Sequence, residues 1–478
     1  MKKIKIIVFM IIVIIIIFTI LGILYSRQEV KLLINDQEII LNRKASQEIS
    51  LTSFTSEQDA IISKIETNGC QVKINGKKLD DNINLGKIEI NKENQIIIEI
   101  QYNLFERISY KVHVLDQEFP EYEVTGQSNY EGDYYSTTFD RQKPFYVFKL
   151  NNKGNIIYYK KVPSISMDFK KTVLENGQIR YSYLEVVHDG MKQSNNSYYP
   201  AKLVIMNEEY QVIDEIKYQL ENGQFQELEN HDAMILEDGH YILSTYEETK
   251  VDNIPDNLTS IKEKIGVTNN KLQEVRNGEI LWSFQTIDYP ELYGCLDTAT
   301  TFIDYYNRNT KYADYAHFNS CAIDPNDGNL VCSFRNLDAL LKINRENGKL
   351  MWILGGKKDQ FNLSKTQKFA KQHNISFLPD GSIMIFDNSN SPNKSRIVKM
   401  KLDEKNKKLT SYESYDLPVV SSAMGSVQEL DKDIYLICYG QGKFKEDVVQ
   451  EINTKTKEVY FSFRFVDANY LYNVYKIK

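Results

Sequence analysis
The 478-residue chain is poor in cysteine, histidine and proline, with five, six and ten copies. Cys70, Cys295, Cys321, Cys332 and Cys438 are widely spread and form no Cys-x-x-Cys pair. That excludes a zinc ribbon and a dithiol redox motif. The odd count leaves at least one thiol free or paired between chains. Cys321 and Cys332 flank the turn Pro325-Asn326-Asp327-Gly328 and can face each other across a hairpin. The others read as small buried hydrophobes. Basic charge is in deficit too: 58 Lys and Arg stand against 65 Asp and Glu, a net charge of −7. Nucleic-acid binders of this size are more often basic, so no nucleic acid is expected as a partner. Long helical periodicity is scarce. A charged fraction of 26% with 12% aromatics, including 32 Tyr, excludes a disordered chain. The length predicts two or three units.

What is present begins at the N-terminus. Lys2, Lys3 and Lys5 precede an apolar run from Ile6 to Tyr25. About 20 residues at 1.5 Å each span the ~30 Å hydrocarbon core. The run is longer than a signal-peptide core, and Gly22-Ile23-Leu24-Tyr25-Ser26 has no Ala-x-Ala pattern. No cysteine follows to accept a lipid. Residues 1–27 therefore read as an uncleaved membrane helix, with a cleaved signal as the alternative. The lysines keep the cytoplasmic side, so a single-pass protein with its C-terminal domains extracytoplasmic is expected.

Residues 28–118 alternate short apolar runs with turns, as in Gln71-Val72-Lys73-Ile74 before Asn75-Gly76. Period-two alternation with Asn-Gly turns predicts a small β-sandwich ending near Pro120. Residues 119–478 repeat. One unit is a turn and an apolar strand, at Asp238-Gly239, Asp327-Gly328, Asp380-Gly381 and Lys432-Asp433. A second carries an aromatic, at Asn277-Gly278 to Trp282, Asn347-Gly348 to Trp352, and Lys455 to Tyr460, with an earlier copy at Lys153-Gly154 to Tyr158. The two alternate with a period of about 50 residues, which is the pattern of a β-propeller. The all-β class and six blades follow, seven smaller blades being the alternative. Segments near 252–270 and 288–312 break the period and read as insertions over one face.

The six histidines divide into two groups. His113 lies in an alternating strand, His188 ends a strand, and His240 reads as a solvated turn residue. His231, His317 and His373 each stand shortly before a turn-strand unit. Equivalent positions in successive repeats surround one axis, so these three imidazoles are expected around a funnel. They can equally serve as hydrogen-bonding groups of the blade turns. Three histidines also suit zinc. Arg335, in Ser333-Phe334-Arg335, argues for an oxyanion instead, because a guanidinium repels a cation. Asn319 is placed to orient an imidazole or to bind a substrate oxygen. Tyr305, Tyr306, Tyr312 and Tyr315 precede His317 and are candidates to line a slot for aromatic rings.

The ordered segments between about 272 and 400 resemble the bacterial aryl-sulfate sulfotransferase family. Asp314-Tyr315-Ala316-His317-Phe318-Asn319-Ser320 looks like its Asp-aromatic-x-His-x-Asn-Ser motif. Ser333-Phe334-Arg335 matches Ser-x-Arg, and Trp352-Ile353-Leu354-Gly355 matches its Trp-Ile-Leu-Gly strand. Gln372-His373, Phe386-Asp387-Asn388 and Ser395-Arg396 are similar to Gln-His, Phe-Asp-Asn and Ser-Arg in the same order. The C-terminal Leu471 to Lys476 is similar as well. The resemblance implies a six-bladed propeller that moves a sulfuryl group from an aryl sulfate donor to a phenolic acceptor. It implies a ping-pong route through a sulfohistidine, without phosphoadenylyl sulfate, metal or other cofactor. By motif, His373 is the implied nucleophile, His317 and Arg335 the holders of the sulfuryl oxygens, and His231 the third histidine.

Two other functions compete. A cell-surface propeller that binds a sulfated or anionic ligand without turnover needs the same cationic cup. A histidine-dependent phosphoryl transferase needs the same cradle, since both transfers pass through a loose transition state with charge on peripheral oxygens. The oligomeric state stays open, a homodimer among the options.

Overall fold
The computed structural model describes residues 28–34, 37–45, 47–52, 59–79, 87–90, 95–116, 118–139, 144–187, 198–258, 264–295, 312–391, 394–442, 448–466 and 470–478. The expected membrane helix, residues 1–27, lies outside them. Among the described residues no helix is long and apolar enough to cross a membrane. The backbone is nearly all strand. Its described helical turns are 3-10 segments at Thr286–Asp288, Pro290–Cys295 and Arg335–Leu337.

The described residues up to Phe119, with Asn155–Tyr159, form one compact unit. Strand Glu29–Ile34 pairs with Gln37–Asn42 and Asp59–Glu66 in one sheet. Strand Gln95–Asn103 pairs with Gln71–Ile74 and Glu106–Leu115 in the other, and Glu106–Leu115 also pairs in parallel with Glu48–Thr52. Alternate side chains face inward: Val30, Leu32 and Ile34 from one sheet meet Ile96, Ile98 and Ile100 from the other in a single core. Each such residue, once buried, contributes on the order of 1.5–3 kcal/mol. Inward and outward positions alternate along these strands as the sequence pattern does.

Pro120–Gly154 and Lys160–Lys478 form the second unit. Among the described residues it holds six antiparallel sheets of four or five strands, and one two-stranded sheet. We number the six along the chain. Sheet one pairs Asp133–Thr137 with Phe145–Leu150 and with the C-terminal strand Tyr475–Ile477. Sheet two begins at Ser166–Val173, sheet three at Met234–Ile235, sheet four at Phe318–Ile323, sheet five at His373–Phe377 and sheet six at Ser426–Asp431. Every repeated turn of the first kind joins the first and second strands of its sheet, before Tyr241–Val251, Leu330–Phe334, Ile383–Ser391 and Ile434–Cys438. Turns of the second kind precede outer strands such as Glu279–Gln285, Leu350–Gly355 and Val459–Phe465. Inner strands Leu330–Phe334 and Ala339–Ile343 are buried throughout. The outer strand Lys408–Asp416 is exposed or half-buried along its length.

The first strands of the six sheets join side by side in a ring. Ser320 Oγ of sheet four accepts from Ile375 N of sheet five at 3.1 Å, and Asn374 Oδ1 accepts from Val427 N of sheet six at 2.8 Å. Ser426 Oγ accepts from Val474 N at 3.0 Å, and Asn473 Nδ2 donates to Asp168 Oδ1 of sheet two at 3.1 Å. Asp168 Oδ2 accepts from Ala233 N, and Asp232 Oδ2 accepts from Cys321 N at 2.9 Å, which returns to sheet four. Both termini of the unit close the ring: Tyr122–Gly126 is the fifth strand of sheet six, and Tyr475–Ile477 the innermost of sheet one.

One expected insertion is shorter than the sequence implies. Ile265–Asn270 is not loop but strand, paired with Tyr246–Val251 in an extended hairpin of sheet three. The period breaks there because both strands outgrow those of the other sheets. Of the second expected insertion, residues 296–311 lie outside the described residues, and Ala313 returns to bridge Val267.

Candidate active site
The first strands of sheets two, four and five start irregularly, and that irregularity helps to build the site. A β-bulge interrupts the first strands of sheets two, four and five at 167–170, 318–320 and 373–375. Bulges turn a strand locally and re-aim its side chains. Left-handed φ angles accompany them at Asp168, His317, Lys371, Asn374 and Met424. Non-glycine residues there cost of order 1–3 kcal/mol each and persist where the surroundings enforce them.

His317 and Arg335 are placed as a pair. Arg335 N donates to the His317 carbonyl at 2.8 Å, and Asn336 N to the Ala316 carbonyl at 3.0 Å. Asn336 Nδ2 donates to the Asp314 carbonyl at 2.7 Å, and Arg335 Nη1 to Asn336 Oδ1 at 2.8 Å. The His317 Nδ1 lies 2.5 Å from Asp314 Oδ2. Gln372, fully buried, clamps the neighbouring residue onto sheet four. Its Nε2 donates to Ser333 Oγ and to the Phe334 and Ala339 carbonyls at 3.1–3.2 Å. Asn319 Nδ2 donates to the Gln372 carbonyl at 2.7 Å. Asn319 is thus a strut one residue from His373, and its amide is engaged by the protein.

His373 has surroundings of its own. Its Nδ1 lies 2.7 Å from Asn388 Oδ1 and 3.1 Å from the Lys371 carbonyl. The Asn388 Nδ2 donates to Met424 O, Ser421 Oγ and Ser421 O at 2.9–3.3 Å. With the NH2 committed to three acceptors, Oδ1 must face His373. The Nδ1 neighbours are then both acceptors, so Nδ1 carries the hydrogen. The Nε2 keeps the lone pair, which accepts a 3.3 Å bond from Met424 N. Burial, then the Arg335 charge, hold the His373 pKa well below the ordinary histidine value, against the Asn388 bond and with help from His231 and His317.

His231 shares its Nδ1 with Glu229, whose carboxylate also accepts from His231 N at 2.9 Å and Ser244 Oγ at 2.7 Å. The His231 and His317 rings meet edge to face with centroids 4.9 Å apart. Tyr246 and Tyr472 flank them: Tyr246 is 5.9 Å from the His317 centroid and Tyr472 5.9 Å from that of His231. Burial lowers the His317 pKa, and Asp314 opposes that shift, with His231 and Arg335 adding to it. The carboxylate alone favours imidazolium; desolvation outweighs it while no anion is bound. All three imidazoles are buried, at 6%, 5% and 4% exposure for His231, His317 and His373. Asp232, Ser320 and Asn374, each one to three residues further along, line a cavity of about 660 Å³.

The structure therefore brings His231, His317, Arg335 and His373 within mutual electrostatic reach. Glu229, Asp314 and Asn388 are partners that sequence reasoning missed. Asp314 is three residues before His317 and Glu229 two before His231, a local signal that was available. Asn388 reaches the site from the next strand of sheet five, and the rings of Tyr246 and Tyr472 reach it from segments remote from His373 in sequence. Two expectations need correction. Tyr315 is not a slot residue but fully buried against Tyr293, with centroids 4.7 Å apart. Tyr305 and Tyr306 lie outside the described residues, as does His188. His240 is not solvated: it is buried, with Nδ1 2.9 Å from Glu274 Oε1, because Glu274 also anchors Arg345 and Trp282 there.

The five cysteines are free and buried. Cys321 lies opposite Cys332 in register, and their hydrogen bond, with burial, raises the Cys321 pKa. Among the described residues, Asp324, Asp327 and Glu404 bring three carboxylate oxygens together. Lys342 already fills that cluster, its Nζ at 2.8, 2.7 and 2.6 Å from the three.

The fold is all-β, with buried imidazoles and a guanidinium at the ends of inner strands of ring-joined antiparallel sheets. The chain belongs to the arylsulfotransferase (ASST) family, whose model matches residues 121–476. Membership implies a sulfotransferase that acts on aryl sulfates. No curated protein matches the chain. Solved structures similar to it include a protein of unknown function from Bacteroides caccae, at 12% identity and TM-score 0.43, covering 72% of this chain and 98% of that one. A protein of unknown function from Dyadobacter fermentans shows 11% identity and TM-score 0.37, covering 81% and 92%. The periplasmic gluconolactonase of Pseudomonas aeruginosa shows 9% identity and TM-score 0.39, covering 73% and 99%. Likeness of that size says nothing about activity.

Proposed function
We propose that this chain transfers a sulfuryl group from an aryl sulfate ester to a phenolic acceptor through a sulfohistidine at His373. The observation that carries the reading is the tautomer of His373, with its hydrogen on Nδ1 and its lone pair on Nε2. In the first step Nε2 attacks sulfur and the bond from sulfur to the aryl oxygen breaks. The phenolate leaves with the electron pair and takes a proton from His317 or His231. Arg335, His317 and His231 donate to the three peripheral oxygens, where charge gathers in a loose transition state. The bound ester adds negative charge beside His317, which joins Asp314 in favouring the imidazolium. In the second step the acceptor phenol gives its proton to the imidazole and its oxygen attacks sulfur. The S–N bond breaks and the pair returns to Nε2. Donor and acceptor use one place in turn, and the chemistry needs no phosphoadenylyl sulfate.

In this reading Asn319 sets the position of His373 through Gln372 rather than touching the ester. The six sheets act as six blades, and the run Ile6–Tyr25 anchors the chain with its catalytic unit outside the cytoplasm. A chromogenic aryl sulfate with a phenol acceptor tests the activity. Phenol release, with mass spectrometry placing an added sulfuryl group on His373, is the expected result. No release across a range of aryl esters, or sulfuryl on another residue, overturns it. An aryl phosphate run in parallel is expected to stay intact, and its turnover instead would favour phosphoryl transfer.

A further inference from the structure
The first unit carries two side chains that its core does not explain. Leu104 and Phe105 are 87% and 98% exposed, the most exposed large hydrophobic residues described. They form the tip of the hairpin between Gln95–Asn103 and Glu106–Leu115. Other exposed turns of this unit carry Asn68-Gly69 and Asn75-Gly76, as turn chemistry favours. One exposed apolar side chain is ordinary; an adjacent pair projecting from a hairpin tip presents apolar surface for a contact.

A second observation says where that tip stands. Arg43 Nη2 donates to Gln28 Oε1 at 2.9 Å, and Arg43 Nε to Glu106 Oε2 at 2.8 Å. Asn103 Nδ2 donates to the same Glu106 oxygen at 2.9 Å, and the Arg43 guanidinium lies 4.3 Å over the Tyr102 ring. Gln28, the first described residue after the apolar run, therefore shares one arginine with the base of the hairpin. Asn68 Nδ2 donates to the Glu29 carbonyl at 3.0 Å, so the Asn68 turn ends on the same side. The Asn75 turn lies at the other end of the sheet, where Asn75 N donates to the Ile97 carbonyl.

We propose that Leu104 and Phe105 enter the headgroup–acyl boundary of the bilayer that holds the N-terminal segment, as a second membrane contact of the first unit. The proposal rests on the anchored reading of residues 1–27. Apolar side chains with cationic neighbours suit that boundary. Here Arg107 follows the tip, and Lys44 adjoins Arg43, which is itself held by Gln28, Glu106 and the Tyr102 ring. A single span leaves the unit free to swivel about Gln28; the hairpin tip removes that freedom.

The test uses the full chain with Phe105→Trp in phosphatidylcholine–phosphatidylglycerol vesicles whose acyl chains are brominated or not. The native Trp282 and Trp352 are buried and give a constant background. The expected result is flotation with the vesicles and about twofold quenching by bromine of the residue introduced at 105. Leu104→Trp is expected to behave alike, while Lys77→Trp at the opposite end of the sheet stays unquenched. Flotation without quenching at 104 or 105 leaves the anchor standing and overturns the hairpin contact. Equal quenching at 77 overturns it as well. Absence of flotation overturns both the anchor and the contact.

Discussion
His373, which begins a strand of sheet five, and the pair His231 and His317, just before the first strands of sheets three and four, stand in different company. The pair leans on carboxylates, Glu229 and Asp314. His373 leans on an uncharged amide, Asn388, and carries the Arg335 charge against it. A carboxylate behind an imidazole favours the proton that an anion or a leaving phenolate needs. An amide fixes the tautomer and keeps the lone pair on Nε2. In the proposed reaction these three like residues divide into a nucleophile and two cation donors, and the division lies in what stands behind each ring.

The comparison breaks most directly at the nucleophile. His373→Ala is expected to lower turnover on the order of 10⁴-fold or more, read by phenol release, with loss of the covalent sulfuryl adduct. Undiminished turnover would remove the distinction between the rings. Next comes the shared cation. Arg335→Ala is expected to cost about 100- to 1,000-fold in kcat, more than it changes KM, because the guanidinium meets charge that develops in the transition state.

Replacing the amide by a carboxylate sharpens the contrast. In the wild type the His373 pKa lies well below the ordinary value. The free base therefore dominates at pH 7, and the acid limb of kcat/KM falls below about 6.5. Asn388→Asp gives His373 the same kind of partner as the other two rings. It stabilises the imidazolium, so the acid limb moves up by about one to three pH units. A limb that does not move would show that Asn388 has no hold on the proton. The smallest effect on rate belongs to a histidine outside the site. His240→Gln loosens the buried Glu274–Arg345–Trp282 node, and is expected to cost about 1–3 kcal/mol of stability. Thermal melting reads that loss while kcat/KM stays near wild type.

How much of this was legible beforehand follows from the range of each interaction. The turns Asp327-Gly328 and Asn347-Gly348 carry their geometry locally, so they marked the strands of sheet four correctly. Ile265–Asn270 was misread because a strand that outgrows its neighbours looks like an insertion to a periodicity argument. His240 was misread because its partner Glu274 lies on the neighbouring strand, where no turn rule reaches. Tyr315 stands beside His317 in the chain, but its side chain packs on Tyr293 in the core.

By itself the amino-acid order determined the strand alternation, the repeat, the family motifs and the identity of the three histidines and the arginine. These depend on periods and short spacings that a chain carries before it folds. Only the tertiary structure decided that Asn388, locked by Ser421 and Met424, stands behind His373 while Glu229 and Asp314 stand behind the other two. A proton's place on an imidazole depends on the charge and hydrogen-bonding capacity of atoms within a few ångströms. For His373 those atoms come from the neighbouring strand of its own sheet and from loops at Lys371 and Met424, which meet only in the folded chain.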